Sequence, residues 1–362
     1  MNCYVCENQL VDENETEEHI ILNAIGGKLK SKRLICRECN SKFGSQIDAK
    51  LAHQLKAIST LLNVKRDNGH PQNVRAKQGS KEVLIEPGGK VKLSRPHHEI
   101  EDEILHIEAP SIISAKKMLS GMKRKFPHID IDKELNNAEI KKGKPVETTF
   151  SMDFGGKDTE RAFCKMAVNF FIYSGGASKE VQHLFPFIKG EEEDAEVYYL
   201  YPRTEIFQKG KEEILHSLIL KGDEERKQLY VIVELFNEFK MVVFLSRNYQ
   251  GQDLYESYHY NLVTNEIVDY ETQFEINPRE LKKSSTKVID QEKFQKRMQY
   301  LFQQIRNVTT SRKIEEIAGS AMERLVEEYP EDKYPFFTNE MTSKLADNVT
   351  EQIFQRFNFR EN

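Results

Sequence analysis

The chain has no apolar run near the ~18 residues that cross a bilayer, so it is not expected to span a membrane. It also lacks a surplus of positive charge. Its 53 Lys and Arg stand against 58 Asp and Glu, a net charge of −5. That excludes a protein basic all over and confines any nucleic-acid contact to a local patch. Met1 to Leu10 contains no apolar run of the secretory kind, so the expected compartment is the reducing cytoplasm, where thiols stay free. Internal repeats and low-complexity tracts are absent. Cysteine is scarce, with five in 362 residues. An apolar share of 38% and a charged share of 31% fit a globular protein, and the length has room for two or three domains.

Four of the five cysteines form two tight pairs, Cys3-x-x-Cys6 and Cys36-x-x-Cys39. Two such knuckles supply the four thiolates of a closed structural zinc site, which lets a short segment fold around a metal. Disulfides are the competing reading of the pairs, and the missing secretory run argues against them. Zinc by itself implies no catalysis, because many knuckles only present a surface to a partner. The fifth, Cys164, lies in an apolar helical stretch and reads as a small buried hydrophobe.

Around the knuckles, Thr16 to Leu22 and Leu29 to Ile35 read as short strands, with a turn or close approach at Gly26-Gly27. Phe43, Ile47, Leu51, Leu55, Ile58 and Leu62 then recur as one face of an amphipathic helix, which Asn40 is suited to cap. On that helix Asn40, Gly44 and Asp48 share a face. Residues 63–109 read as a connecting hairpin or extended segment with pieces at Val83 to Ile85 and Lys90 to Leu93. His97-His98 reads as ordinary surface histidine.

From 110 to 190 helices dominate, at Ser114 to Phe126, rich in Lys and Arg, and at Thr159 to Tyr173, ended by Gly175-Gly176. Strands follow at Val197 to Tyr201, Ile214 to Leu220, Leu229 to Leu235, Met241 to Leu245 and Tyr255 to Val263, which suggests a five-stranded, mainly antiparallel sheet. The tail from 290 is helical, broken near Tyr329-Pro330 and Tyr334-Pro335. Residues 110–362 carry no catalytic constellation that sequence alone reveals.

Glu18-His19 lies between the knuckles. Phosphodiester hydrolysis needs a base to activate water and a cation to stabilise charge on the phosphate. A neutral His suits the first task near pH 7, and a hard divalent metal on carboxylate or amide oxygens suits the second. His19 is the candidate base, and Glu18 and Asn40 are candidate oxygen ligands. Lys28, Lys30, Lys32, Arg33, Arg37 and Lys42 form the local basic segment.

The order Cys3-x-x-Cys6, Glu18-His19-Ile20-Ile21, Gly26-Gly27, Cys36-Arg37-Glu38-Cys39-Asn40, Phe43-Gly44 resembles the HNH endonuclease family, in its subgroup with four zinc cysteines around a ββα-metal core. The resemblance covers about residues 1–60. It implies that His19 is the general base, that Glu18 and Asn40 hold a catalytic magnesium or manganese, and that zinc on Cys3, Cys6, Cys36 and Cys39 is structural. Asp48 is a further candidate metal ligand by helix geometry, outside the family's core pattern. The family's middle Asn falls near Ser31, and Asn23 is an alternative for that role. The basic segment would contact phosphates.

The expectation is an α+β protein. A ββα-metal nuclease domain occupies residues 1–62, a connection follows to 109, and a larger α+β domain with an antiparallel sheet and C-terminal helices occupies 110–362, for target selection or regulation. Double-stranded DNA is the expected substrate, with RNA as a second option. A homo-oligomer or a regulatory partner on the C-terminal domain is left open. Bacterial restriction and anti-phage defence, or the enzymes of mobile elements, is the associated role. The rival reading is a non-catalytic zinc module that binds nucleic acid or protein.

Overall fold

The computed structural model describes residues 1–101, 104–139, 147–270, 278–330, 333–334 and 336–357. The chain divides into two compact units: Met1–Val74 with Ile85–Lys90 and Phe150–Ile305, and Arg75–Leu84 with Val91–Thr149 and Arg306–Asn362.

In the first unit β1 (Glu18–His19) pairs antiparallel with β2 (Lys30–Ser31), so that His19 faces Lys30 across the ladder. The loop between them closes on the glycine pair. Gly26 sits at φ +95°, and a Cβ on Gly27 would lie 1.9 Å from the Ile21 carbonyl oxygen, so the chain passes itself too closely for any side chain. The second knuckle runs directly into α1 (Arg37–Phe43), with Cys36 at the N-cap. Asn40 is therefore not the cap expected of it. It lies inside the helix, because the CxxC turn has already set helical geometry three residues earlier.

The expected long helix is also broken. A π-helical turn spans Gly44–Asp48, followed by α2 (Ala49–Gln54) and α3 (Lys56–Leu62). The sequence explains the wide turn. Phe43, Ile47, Leu51 and Leu55 are spaced by strict fours, and a helix of 3.6 residues per turn would drift off the core by roughly 40° per step. One wider turn absorbs the drift, and such turns recur at functional sites.

Five long or central strands appear where apolar runs placed them: β8 (Val197–Leu200), β9 (Leu215–Asp223), β10 (Gln228–Leu235), β11 (Phe239–Ser246) and β12 (Leu254–Asn261). The two-residue strands β13 (Glu266–Ile267) and β14 (Ser285–Thr286) extend the sheet to seven, in the order β13-β12-β9-β10-β11-β8-β14, antiparallel throughout. Ile219, Ile232, Val242 and Phe244 pack with Ile206, Phe207 and Leu281 into one core.

Helix α6 (Lys157–Tyr173) packs on β8 to β11 and on α2. It is buried on nearly every side from Thr159 to Phe171, as a helix enclosed all round must be. Cys164 lies within it, fully buried, as expected. The sheet also holds the loop after His19. Buried His216 reaches the Ile25 carbonyl through Nε2 at 3.0 Å, while the Phe236 N–H donates to its Nδ1 at 3.3 Å. The carbonyl requires an N–H at Nε2 and the amide requires a lone pair at Nδ1, so the ring is neutral. Burial pushes its pKa down to about 4.

The second unit holds a three-stranded sheet of β3 (Val74–Gln78), β4 (Lys81–Ile85) and β5 (Val91–Leu93), and a hairpin of β6 (His97–Glu101) and β7 (Ile104–Glu108). Helix α4 (Ile112–Met122) starts on a Ser111–Ser114 capping box and stops before Lys123, Arg124 and Lys125. The helical tail comprises α9 (Gln291–Glu328), whose residues up to Ile305 belong to the first unit, and α10 (Asn339–Phe357). Helix α9 ends just before Tyr329-Pro330, where a break was expected, while Pro335 of the second expected break lies outside the described residues. Among the described residues no helix is long and apolar enough to cross a membrane.

Candidate active site

Both knuckles converge. The sulfurs of Cys3, Cys6, Cys36 and Cys39 lie within 4.8 Å of one another, with Cys6 and Cys36 3.7 Å apart. Zn–S bonds of about 2.3 Å place tetrahedral sulfurs roughly 3.8 Å apart, so the cluster fits zinc. All five cysteines are free of disulfides. Backbone bonds tie the knuckles together: the Tyr4 N–H donates to the Leu34 carbonyl and the Arg37 N–H to the Asn14 carbonyl.

Next to this clamp lies a cleft of about 220 Å³ lined by Glu18, His19, Asn23, Asn40, Gly44 and Asp48, among others. The residues singled out from β1, from the loop after it and from the helical segment thus share one wall. A Cβ on Gly44 would meet nothing within 4 Å, so this side of the cleft is open. Asn40 donates from Nδ2 to Thr16 Oγ1 at 3.2 Å, and among the described residues no donor reaches its amide oxygen.

Sequence reading missed what stands behind the two acids. Lys165 of α6 places its Nζ 2.6 Å from Glu18 Oε1 and 2.6 Å from Asp48 Oδ2, with a side chain only 2% exposed. Asn169, one turn on, donates to Glu18 Oε1 at 3.0 Å and accepts from the Tyr4 hydroxyl at 2.8 Å. Burial works against the Lys165 charge, but Glu18 and Asp48 more than offset it and hold its pKa above the ordinary lysine value.

Two carboxylates against one ammonium leave a formal charge of −1. The buried Asp48 Oδ1 has no hydrogen-bond partner among the described residues. An orphaned anionic oxygen at such a site is the feature a hard divalent cation would satisfy, so the donor set fits magnesium or manganese. Replacing Lys165 with Met removes the shared partner of buried Glu18 and half-buried Asp48. The expected loss is about 3–5 kcal/mol of unfolding free energy in zinc-loaded protein without added magnesium or manganese, read by urea denaturation, because one half of a buried pair is left uncompensated. A loss below about 1 kcal/mol would show the acids to be solvated and the cluster unimportant.

His19 has a partner that sequence reading also missed. Its Nε2 lies 2.9 Å from Asp67 Oδ2, while Lys28 Nζ reaches Asp67 Oδ1 at 2.7 Å. These bonds, from Lys28 first and His19 second, lower the Asp67 pKa to about 2. Asn23 accepts the Asp67 N–H at 2.9 Å. Ser31, the other candidate for the middle position, instead accepts the Arg33 N–H at 3.1 Å.

The basic segment is largely answered by acids. Lys28 pairs with Asp67, Lys30 with Glu17 and Asp67, and Lys32 with Glu15. Arg37 donates to the Glu15 carbonyl at 3.5 Å. Among the described residues the side chains of Arg33 and Lys42 have no carboxylate within ion-pair distance.

A short antiparallel pair, a helix and a four-cysteine clamp beside a cleft with a His and two acids define a zinc-clamped ββα unit. Residues 3–56 match the family model described as HNH endonuclease. Neither a curated protein nor a solved structure matches the chain.

Proposed function

We propose that this unit is a metal-dependent nuclease that hydrolyses phosphodiester bonds, with double-stranded DNA as its substrate. The observation that carries the proposal is the convergence of His19, Glu18, Asn40 and Asp48 on one cleft beside the zinc clamp. His19 is the general base. It takes a proton from water as the water oxygen forms its bond to phosphorus, and the leaving oxygen departs with the P–O bond electrons and is protonated from solvent. Glu18, Asn40 and Asp48 hold a divalent metal, which supplies Lewis-acid stabilisation of the charge that develops on the phosphate. Lys165 and Asn169 keep the Glu18 carboxylate in place. Arg33 and Lys42 contact backbone phosphates directly, and Lys30 and Lys32 exchange the carboxylates of Glu17 and Glu15 for phosphates, giving affinity that weakens with salt.

A second reading, a zinc module that binds without cutting, draws on one observation: an ammonium already bridges Glu18 and Asp48. Metal counting separates the two. Nuclease chemistry requires one tight zinc and one weaker, exchangeable manganese per chain, detected by electron paramagnetic resonance titration. Asp48→Asn and Asn40→Ala should each weaken manganese binding at least ~10-fold, roughly the effect of losing one ligand. Zinc alone, with no manganese site in the unaltered protein, favours the binding module.

A further inference from the structure

Asp67 lies outside the matched segment, four residues beyond the left-handed Asn63 that ends α3, where the chain turns back toward the cleft. Three hydrogen bonds fix it, and Lys30 Nζ lies 3.8 Å from Oδ2 as well. Asn23 holds its backbone N–H at 2.9 Å, Lys28 holds Oδ1 at 2.7 Å, and Oδ2 faces His19 Nε2 at 2.9 Å. The residue is thus braced from both ends of the loop that joins β1 to β2. An ionised carboxylate only accepts hydrogen bonds. The neutral His19 ring must then carry its proton on Nε2, and its Nδ1 lone pair is free. The same arrangement, a carboxylate on one ring nitrogen and proton transfer at the other, is how an Asp fixes the tautomer of a catalytic His in serine hydrolases.

We propose that Asp67 is the positioning residue for His19, fixing the Nε2–H tautomer so that Nδ1 receives the proton from water, with Asn23 setting Asp67 in place. The catalytic half of this rests on His19 being the base. The role that the sequence comparison left to Ser31 or Asn23 is in this chain divided between two residues. Asn23 holds the backbone and Asp67 touches the ring. Lys28 neutralises the second Asp67 oxygen, which turns the carboxylate edge toward His19.

The test is made on the full chain with 15N-labelled histidine. In the unaltered protein, NMR at neutral pH should show His19 as the Nε2–H tautomer. In Asp67→Asn, whose amide can donate where the carboxylate only accepts, His19 should lose that single tautomer. The value of kcat for plasmid nicking should fall on the order of 10²-fold with KM for DNA nearly unchanged. Asp67→Glu should restore much of both. Zinc content and melting temperature serve as the folding control.

A His19 ring that is unaltered in Asp67→Asn, or protonated at Nδ1 in the unaltered protein, overturns the proposal. An Asp67→Asn variant whose loss lies wholly in KM overturns it too, since Asp67 would then act on DNA binding. A tautomer that switches in a protein whose unaltered form never cuts would sink the base reading of His19 and leave the Asp67–His19 pair standing.

Discussion

Chelating the metal from the four-cysteine cluster is expected to release one zinc per chain and to unfold the segment around it. The reason lies in how little else holds residues 1–62 locally. Its two strands are two residues long each, and a two-stranded pair is marginal even at greater length. Ile20, Ile21, Ile25, Leu34, Ile35 and Phe43 are buried, but the loops that carry them are joined near Cys3, Cys6, Cys36 and Cys39. Structural zinc contributes on the order of 10–16 kcal/mol of apparent binding free energy in small modules, and most of it is folding free energy.

The damage should spread. Tyr4 sits inside the first knuckle and bonds Asn169, which in turn bonds Glu18. Loss of zinc therefore loosens the acid of the cleft from behind. Limited proteolysis before and after chelation checks the claim, with a chromogenic dye counting the metal. New cleavage within residues 1–62 is expected, and Cys36→Ser should reproduce it without chelator. An unchanged digest and melting temperature after complete metal removal would show the clamp to be dispensable.

The parts legible in the sequence are those set by local spacing. The knuckles, Glu18-His19, Asn40 and Asp48 fall within 46 positions of one another, from Cys3 to Asp48. The central strands declared themselves as β-branched and aromatic runs, because both faces of the sheet are covered. What stayed hidden comes from long range. Asn169 reaches Glu18 across 151 residues, Lys165 reaches Asp48 across 117, and Asp67 reaches His19 across 48. No spacing rule joins such positions.

A signal was nonetheless present. Lys165 and Asn169 are polar residues four apart in the apolar run from Phe163 to Phe171, and a buried polar residue is the informative observation in a helix of that kind. The π-helical turn was likewise encoded in the strict fours from Phe43 to Leu55. The Asn40 cap was misplaced for a physical reason, since a CxxC knuckle starts its own helix at Cys36.

Loss of His19 is the other change expected to have a large effect, and it bears on the reaction itself. Ala at this position removes the ring from the cleft and leaves Asp67 paired with Lys28, so the fold has a ready way to accommodate it. The residue is half-buried and sits at the end of a two-residue strand, away from the apolar core. Catalysis by a positioned base is worth roughly 10²- to 10⁴-fold, so the rate should fall by that factor while zinc content and stability stay close to those of the unaltered protein. Glu18→Ala would confuse the two effects, because it also strips Lys165 and Asn169 of a partner.

The most direct measurement is therefore nicking of a supercoiled plasmid by the purified full chain in magnesium, manganese or EDTA, with His19→Ala alongside. The account predicts cleavage that requires the divalent metal and falls by at least ~10²-fold in His19→Ala. Cleavage undiminished in His19→Ala, or equal in EDTA, would contradict it.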